Sequence, residues 1–140
     1  MKTREEKIRH LLTRNVEDAI HYAHLESALR SGKKLRVKLG IDPTGAFIHL
    51  GFAVVLWKLR EFQELGHKIV LIVGDFTAQI GDPSDKLEKR PFLSSREITQ
   101  NLKRYLPQIG KILNLKNTEV RYNSEWLAKL DFREISELAE

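Results

Sequence analysis

The chain has no cysteine among its 140 residues, which excludes disulfide cross-links and any thiolate-ligated metal centre. It has no run of about 18 apolar residues, the minimum for a membrane-spanning helix. Its first residues, Met1-Lys2-Thr3-Arg4-Glu5-Glu6-Lys7, mix both charges where a secretory signal would set a basic cluster before an apolar stretch. No internal repeat, low-complexity tract or inter-domain linker is present. The expectation is a soluble, cytoplasmic protein without a membrane partner. Neither sign of charge dominates: Lys and Arg outnumber Asp and Glu by 24 to 19, for a net +5. That favours polyanionic partners, although interspersed charges such as Lys86-Leu87-Glu88-Lys89-Arg90 form no basic arm and suit a solvated surface equally well. With thiolates gone, carboxylates and 5 histidines are the remaining strong ligands. His21 and His24, at i and i+3, read as surface-helix residues, and no metal site is expected.

The length fits a single domain, residues 1–140, able to bury roughly 70% of its unfolded surface. Helical spacing covers residues 4–12, with Ile8, Leu11 and Leu12 on one face, and residues 16–30, with Ala19, Ile20, Leu25 and Leu29, stopped by Ser31-Gly32. Residues 1–33 thus form a helical N-terminal segment. Residues 35–41 read as a strand, and residues 50–65 as an amphipathic helix with Val55, Leu59 and Phe62 on its apolar face, ended by Gly66. The run Lys-Ile-Val-Leu-Ile-Val at 68–73 fits a strand buried on both faces. Strand, helix and strand make a right-handed βαβ unit within residues 34–140. A polar loop spans 81–93, and a helix capped by Ser94 or Ser95 runs toward Leu113, with Pro107 expected to kink or split it. A third strand at 118–122 and helices at 124–130 and 131–139 complete the chain. The fold class is α/β, half of a doubly wound parallel sheet with about three strands and flanking helices.

In such a sheet ligands bind outside the carboxyl ends of the strands, so residues 41–49 and 74–82 should face one crevice. The first segment, from Val37 through Gly40-Ile41-Asp42-Pro43-Thr44-Gly45 to His49-Leu50-Gly51-Phe52, is a strand, a Pro/Gly turn, then a histidine and a glycine opening an apolar helix. That order brings backbone N–H groups and a polar side chain to a phosphate. Asp42-Pro43-Thr44 followed by His49-Leu50-Gly51 resembles the first signature of class I aminoacyl-tRNA synthetases, in the form found in tyrosyl-tRNA synthetases. Gly74-Asp75-Phe76-Thr77-Ala78-Gln79-Ile80-Gly81-Asp82-Pro83-Ser84 resembles a second segment of the same enzymes. The similarity runs from about Leu29 to the C-terminus and includes Tyr122-Asn123-Ser124-Glu125-Trp126.

The resemblance implies a tyrosine-tRNA ligase whose complete form uses ATP, with Mg2+, to make tyrosyl-adenylate and transfers tyrosine to tRNA. By the same likeness, Thr44 and His49 stabilise the pyrophosphate end of the transition state, and Lys86 and Arg90 close over it from a loop. Gly40 and Asp42 lie beside the α-phosphate and ribose, and Gly51 lets adenine approach the helix backbone. Thr77 and Asp82 contact the amino acid, Asp82 through its ammonium. Asp75 reads as a turn cap or a site residue.

The sequence departs from the pattern in three places. Phe52 stands where the family has a histidine, and phenylalanine cannot donate the polar contact near the ribose and adenylate. Asp85 replaces the glycine of the usual Gly-Lys, so Lys86 and Arg90 suit a solvated cluster as readily as a phosphate clamp. Lys38 sits where many relatives place a tyrosine. The second half of the nucleotide fold, the lysine-rich signature loop and a tRNA-binding domain have no counterpart, so the chain resembles an amino-terminal fragment that is expected to be inactive alone. The alternative is a non-catalytic half-fold, truncated or engineered, that self-associates through Phe47, Phe52, Trp57 and an uncovered sheet edge. A homo-oligomer is expected in either case. A small RNA-binding domain has less support because no stacking-aromatic motif is present.

Overall fold

The computed structural model describes residues 2–80 and 93–139. Strand β2 (Lys68–Val73) is buried along most of its length, as its unbroken apolar run requires of the middle strand of a parallel sheet. The sheet has the order β1-β2-β3, with β1 (Arg36–Ile41) and β3 (Thr118–Tyr122) on either side. Strand β1 alternates exposed Arg36, Lys38 and Gly40 with more covered Val37, Leu39 and Ile41, the pattern of a strand with one face packed. The fold is the expected half of a doubly wound sheet with flanking helices. The chain divides into two compact units, Met1–Lys38 with His49–Val70 and Ile109–Glu119, and Leu39–Ile48 with Leu71–Gln108 and Val120–Glu140. Each unit takes one half of every strand.

The first unit holds three helices. Helix α1 (Arg4–Thr13) opens with a capping box between Thr3 and Glu6, which satisfies two of its orphan N–H groups. Its buried Ile8, Leu11 and Leu12 pack with Leu29 and Leu65 into a core bordered by Leu25, Leu35 and Phe62. Lys58 donates to the carbonyls of Leu11 and Arg14 at 3.0 and 2.8 Å, covering the far end of α1, where carbonyls lack intrahelical partners. Helix α2 (Tyr22–Arg30) is shorter than the spacing of residues 16–30 suggests. Asn15 and His21 take positive φ values of 53° and 59°, which no continuous right-handed helix allows, and Ile20 is left exposed. Helix α3 (Leu50–Glu64) stops as Gly66 predicts. Gly66, at φ 90°, donates to Gln63 and His67 donates to Phe62, a Schellman closure that needs a left-handed residue. On α3 the buried residues are Leu56 and Leu59, whereas Val55 is exposed. Of the face the spacing suggests, Leu59 and Phe62 do pack on the core, and Leu56 takes the place of Val55.

The second unit holds the short α4 (Thr77–Ile80), nearly all of α5 (Ser95–Ile109), α6 (Ser124–Leu127) and α7 (Phe132–Leu138). Ser94 caps α5: its hydroxyl accepts from the Glu97 N–H while the Glu97 carboxylate accepts from the Ser94 N–H at 2.8 Å. Pro107 does not split α5. It lies in the last turn, where a missing N–H deprives a single carbonyl, that of Lys103, of its α-helical partner. Helix α7 opens with a capping box from Asp131 to Glu134 and buries none of its residues.

Candidate functional site

The turns after β1 and β2 meet in the second unit through one chain of hydrogen bonds. The Asn123 side-chain N–H donates to the Thr77 hydroxyl at 2.9 Å, and that hydroxyl donates to the Asp42 carboxylate at 2.8 Å. Asn123 is buried and also accepts from the Phe76 N–H at 3.0 Å through its side-chain oxygen. Its own N–H donates to Val73 at 2.9 Å, which anchors it to the end of β2. Gly74 makes this closeness possible, because a Cβ there would collide with the Asp42 carboxylate and the Thr77 hydroxyl.

Asp75 is spent on structure. One of its oxygens accepts from the Ser124 N–H at 3.0 Å and the other from the Ser124 hydroxyl at 2.6 Å, so the turn-capping reading holds. The loop after β1 is clamped from α5. Asn101 donates to the Pro43 carbonyl at 3.0 Å, Gln108 donates to Ala46 at 2.9 Å, and the Ile48 N–H donates to the Gln108 side chain at 3.1 Å. Asn101 and Gln108 are seven residues apart, two helical turns, and so lie on one face. Thr44 keeps its side chain exposed while its N–H donates to Asp42 at 2.8 Å. Gly40 is exposed, and a Cβ there would meet nothing within 4 Å.

In the first unit, His49 is the N-cap of α3, with Nδ1 accepting from the Phe52 N–H at 3.2 Å. Nδ1 is therefore the acceptor nitrogen, and the exposed ring presents Nε2 outward as the donor. The Phe52 ring stands edge-on to the imidazole, with centroids 6.5 Å apart and planes at 81°. A Cβ on Gly51 would approach the His49 ring to 3.2 Å. The start of α3 thus couples histidine, glycine and phenylalanine in one turn, with the Phe52 and Ala53 N–H groups both donating to the His49 carbonyl at 3.1 Å. Phe47 and Trp57 are exposed, at 74% and 58%. Asp82, Asp85, Lys86 and Arg90 lie outside the described residues.

The fold and the turn chemistry meet in one family. The description that matches residues 29–139 is tRNA synthetases class I (W and Y). The chain belongs to that family. It is 52% identical over 137 residues to the tyrosine–tRNA ligase of Thermotoga maritima, covering 98% of this chain and 34% of that protein. With the tyrosine–tRNA ligase of Carboxydothermus hydrogenoformans it shares 56% identity over 82% of this chain and 28% of the relative. The chain therefore spans about a third of the length of these curated relatives, at their N-terminal part. Among solved structures, the tyrosyl-tRNA synthetase of Archaeoglobus fulgidus, complexed with L-tyrosine, superposes with a TM-score of 0.71 at 23% identity, covering 99% of this chain and 40% of that one. That likeness shows the fold.

Three positioning residues escape a reading of the sequence: Asn123, Asn101 and Gln108. Asn123 directly follows a strand, a place where a buried amide pins neighbouring turns, and it falls in the Tyr122–Trp126 segment of the family likeness, which gives it no role. For Asn101 and Gln108 there is no signal beyond their shared helical face. Among the described residues no group of three or more His, Asp or Glu could hold a metal ion, and no helix is long and apolar enough to cross a membrane.

Proposed function

We propose that the chain is the ATP-binding part of a tyrosine–tRNA ligase, which activates tyrosine as tyrosyl-adenylate and transfers it to tRNA in the cytoplasm. The observation that carries this reading is the hydrogen-bonded Asn123–Thr77–Asp42 chain at the carboxyl ends of the strands, where ligands of open α/β sheets bind. Activation joins the tyrosine carboxylate to the α-phosphate and releases pyrophosphate. The protein contributes position and charge stabilisation rather than covalent chemistry.

In this reading Asp42, aimed by Thr77, accepts from the ribose, and Gly40 leaves room beside the α-phosphate. His49 and Thr44 donate to the pyrophosphate oxygens, with Lys86 and Arg90 neutralising them. Gly51 admits the adenine, Thr77 and Asp82 hold the amino acid, and Mg2+ arrives with ATP. Phe52 supplies its backbone N–H to the His49 cap in place of a polar side chain. Phe52 withholds one polar contact of the family pattern, and a contact made in the transition state is worth about 2.7–4 kcal/mol. The test is tyrosine-dependent ATP–pyrophosphate exchange. The expected rate equals the no-protein control, and exchange above it that vanishes in His49→Ala would overturn the claim of inactivity.

A second reading, a self-associating half-fold, is favoured by two exposed stripes. Leu50, Val54 and Trp57 recur at i, i+4 and i+7 on α3, and Phe132, Ile135 and Leu138 at i, i+3 and i+6 on α7. Exposed apolar stripes mark association surfaces. Sedimentation at tens of micromolar should show a homo-oligomer, and a monomer of 16.2 kDa alone would remove this element from both readings.

A further inference from the structure

In the second unit the turn of residues 43–48 carries Thr44, yet its own backbone does little to fix its shape. Among the described residues it makes a single bond from main chain to main chain, from the Thr44 N–H to Asp42 at 2.8 Å. At Gly45 a Cβ would meet nothing within 4 Å, so the most permissive residue of the turn is unconfined. We propose that Gln108 is a positioning residue for ATP: its side-chain amide holds this turn in the form that presents Thr44 and an N–H edge to phosphate. The inference rests on the ATP-site reading and adds to it a group on α5, outside both motif segments.

The Gln108 amide is matched at both ends. Its oxygen accepts from the Ile48 N–H at 3.1 Å, and its nitrogen donates to the Ala46 carbonyl at 2.9 Å and to the Arg104 carbonyl of its own helix at 2.8 Å. Turned over, the amide would set N–H against N–H and oxygen against two carbonyls, so its partners fix its orientation. The bond to Arg104 ties the side chain back to α5. The pair to Ala46 and Ile48 grips the turn as a residue of a neighbouring strand would. From the same helix face Asn101 holds the Pro43 carbonyl.

These bonds also decide which atoms face a ligand. A trans peptide points its C=O and N–H in opposite directions, and no cis bond occurs among the described residues. With the Pro43 and Ala46 carbonyls drawn to α5, the N–H groups of Thr44 and Phe47 point the other way. The Phe47 N–H has no hydrogen-bond partner among the described residues, and Thr44 and Phe47 are both exposed. The outer edge of the turn therefore offers a hydroxyl and an N–H with two carbonyls withdrawn, which favours an anion. Released from Gln108, the peptide between Ala46 and Phe47 can rotate and bring the Ala46 oxygen round, where it would repel phosphate.

The test titrates ATP into the 140-residue chain, followed by amide shifts at Thr44 and Thr77, with hydrogen exchange at Ile48 measured without ligand. Gln108→Met keeps the length of the side chain and removes its hydrogen bonds. Gln108→Glu keeps an acceptor for Ile48 and sets a carboxylate against the Ala46 and Arg104 carbonyls. Apparent affinity scales with the fraction of molecules that hold the competent turn, so both variants should bind ATP about tenfold more weakly, and the Ile48 amide should exchange about tenfold faster in Gln108→Met. Thr44→Ala should weaken ATP binding in the parent chain and add little in Gln108→Met, because without the clamp the hydroxyl is no longer aimed. A general loss of stability would not produce that non-additivity. Parent-strength ATP binding in either Gln108 variant, unchanged exchange at Ile48 in Gln108→Met, or full additivity with Thr44→Ala would overturn the proposal and leave the ATP site standing. Absence of ATP shifts in the parent chain would overturn both.

Discussion

Gly74 and Gly51 sit in the two motif segments, yet a methyl group would meet different surroundings at each. At Gly74 it would run into the Asp42 carboxylate and the Thr77 hydroxyl, both held by further bonds. At Gly51 it would meet only the His49 ring, 3.2 Å away on an exposed side chain. The turn after β2 is a locked polar network, and the start of α3 is an open cap. Under the proposed function, the locked turn is what fixes where a ligand's polar groups go. The open one leaves the imidazole exposed beside a helix N-terminus, the end that favours an anion.

The comparison breaks most sharply through the glycines. Gly74→Ala should cost about 1–3 kcal/mol, the range for overpacking against atoms that cannot move away. Gly51→Ala should leave stability unchanged or raise it by up to about 1 kcal/mol, since glycine is a poor helix former. Denaturant unfolding of both variants checks this, and equal losses would erase the distinction between the turns. Asn123→Ala should cost about 1–3 kcal/mol, because the Phe76 N–H and the Thr77 hydroxyl both lose a buried partner. The same denaturation series ranks it beside Gly74→Ala.

A pH series extends the contrast to the core of the first unit. His67 is 4% exposed, accepts from the Leu35 N–H at 3.2 Å through Nδ1, and leaves Nε2 without a partner. Burial holds its pKa below the ordinary 6.5, and the nearby Arg4 guanidinium lowers it further. The unfolded chain therefore takes up the proton first. This contribution to stability is complete above about pH 6.5 and is lost as pH falls from there through the lower folded value. Unfolding midpoints should drop over that range in the parent chain, and His67→Gln, which retains an acceptor for Leu35, should flatten the drop. An identical slope in the variant would exclude His67 as its source. The smallest effect belongs to the open cap: His49→Ala should cost about 0.5–1 kcal/mol, the low end for losing an N-cap on an exposed helix start.

Sequence patterns carried the parts governed by local chemistry. The apolar run of β2, the Gly66 stop of α3 and the Ser94 cap of α5 each follow from a few adjacent residues. The side-chain period overextends α2, because Ala19 and Ile20 fit it while His21, at φ 59°, turns the backbone left-handed. The motifs mark Asp42 and Thr77 as candidates. Their contact depends on Asn123, 46 residues beyond Thr77, and on a missing Cβ at Gly74. Such dependence arises only when strands are placed side by side. Phe52 shows the same limit: its departure from the family histidine is visible in the sequence, whereas the capping role of its N–H and its edge-on ring emerge from the turn.

The most direct test is an ATP titration followed at the amides of Asp42, His49, Gly51 and Thr77, in the parent chain and in Phe52→His. The account predicts weak, saturable shifts in both segments of the parent chain. They should be reduced by His49→Ala and diminished as salt rises, because the contact with phosphate is partly electrostatic. Absence of shifts at these amides in both the parent chain and Phe52→His would contradict the claim that this chain carries an ATP site.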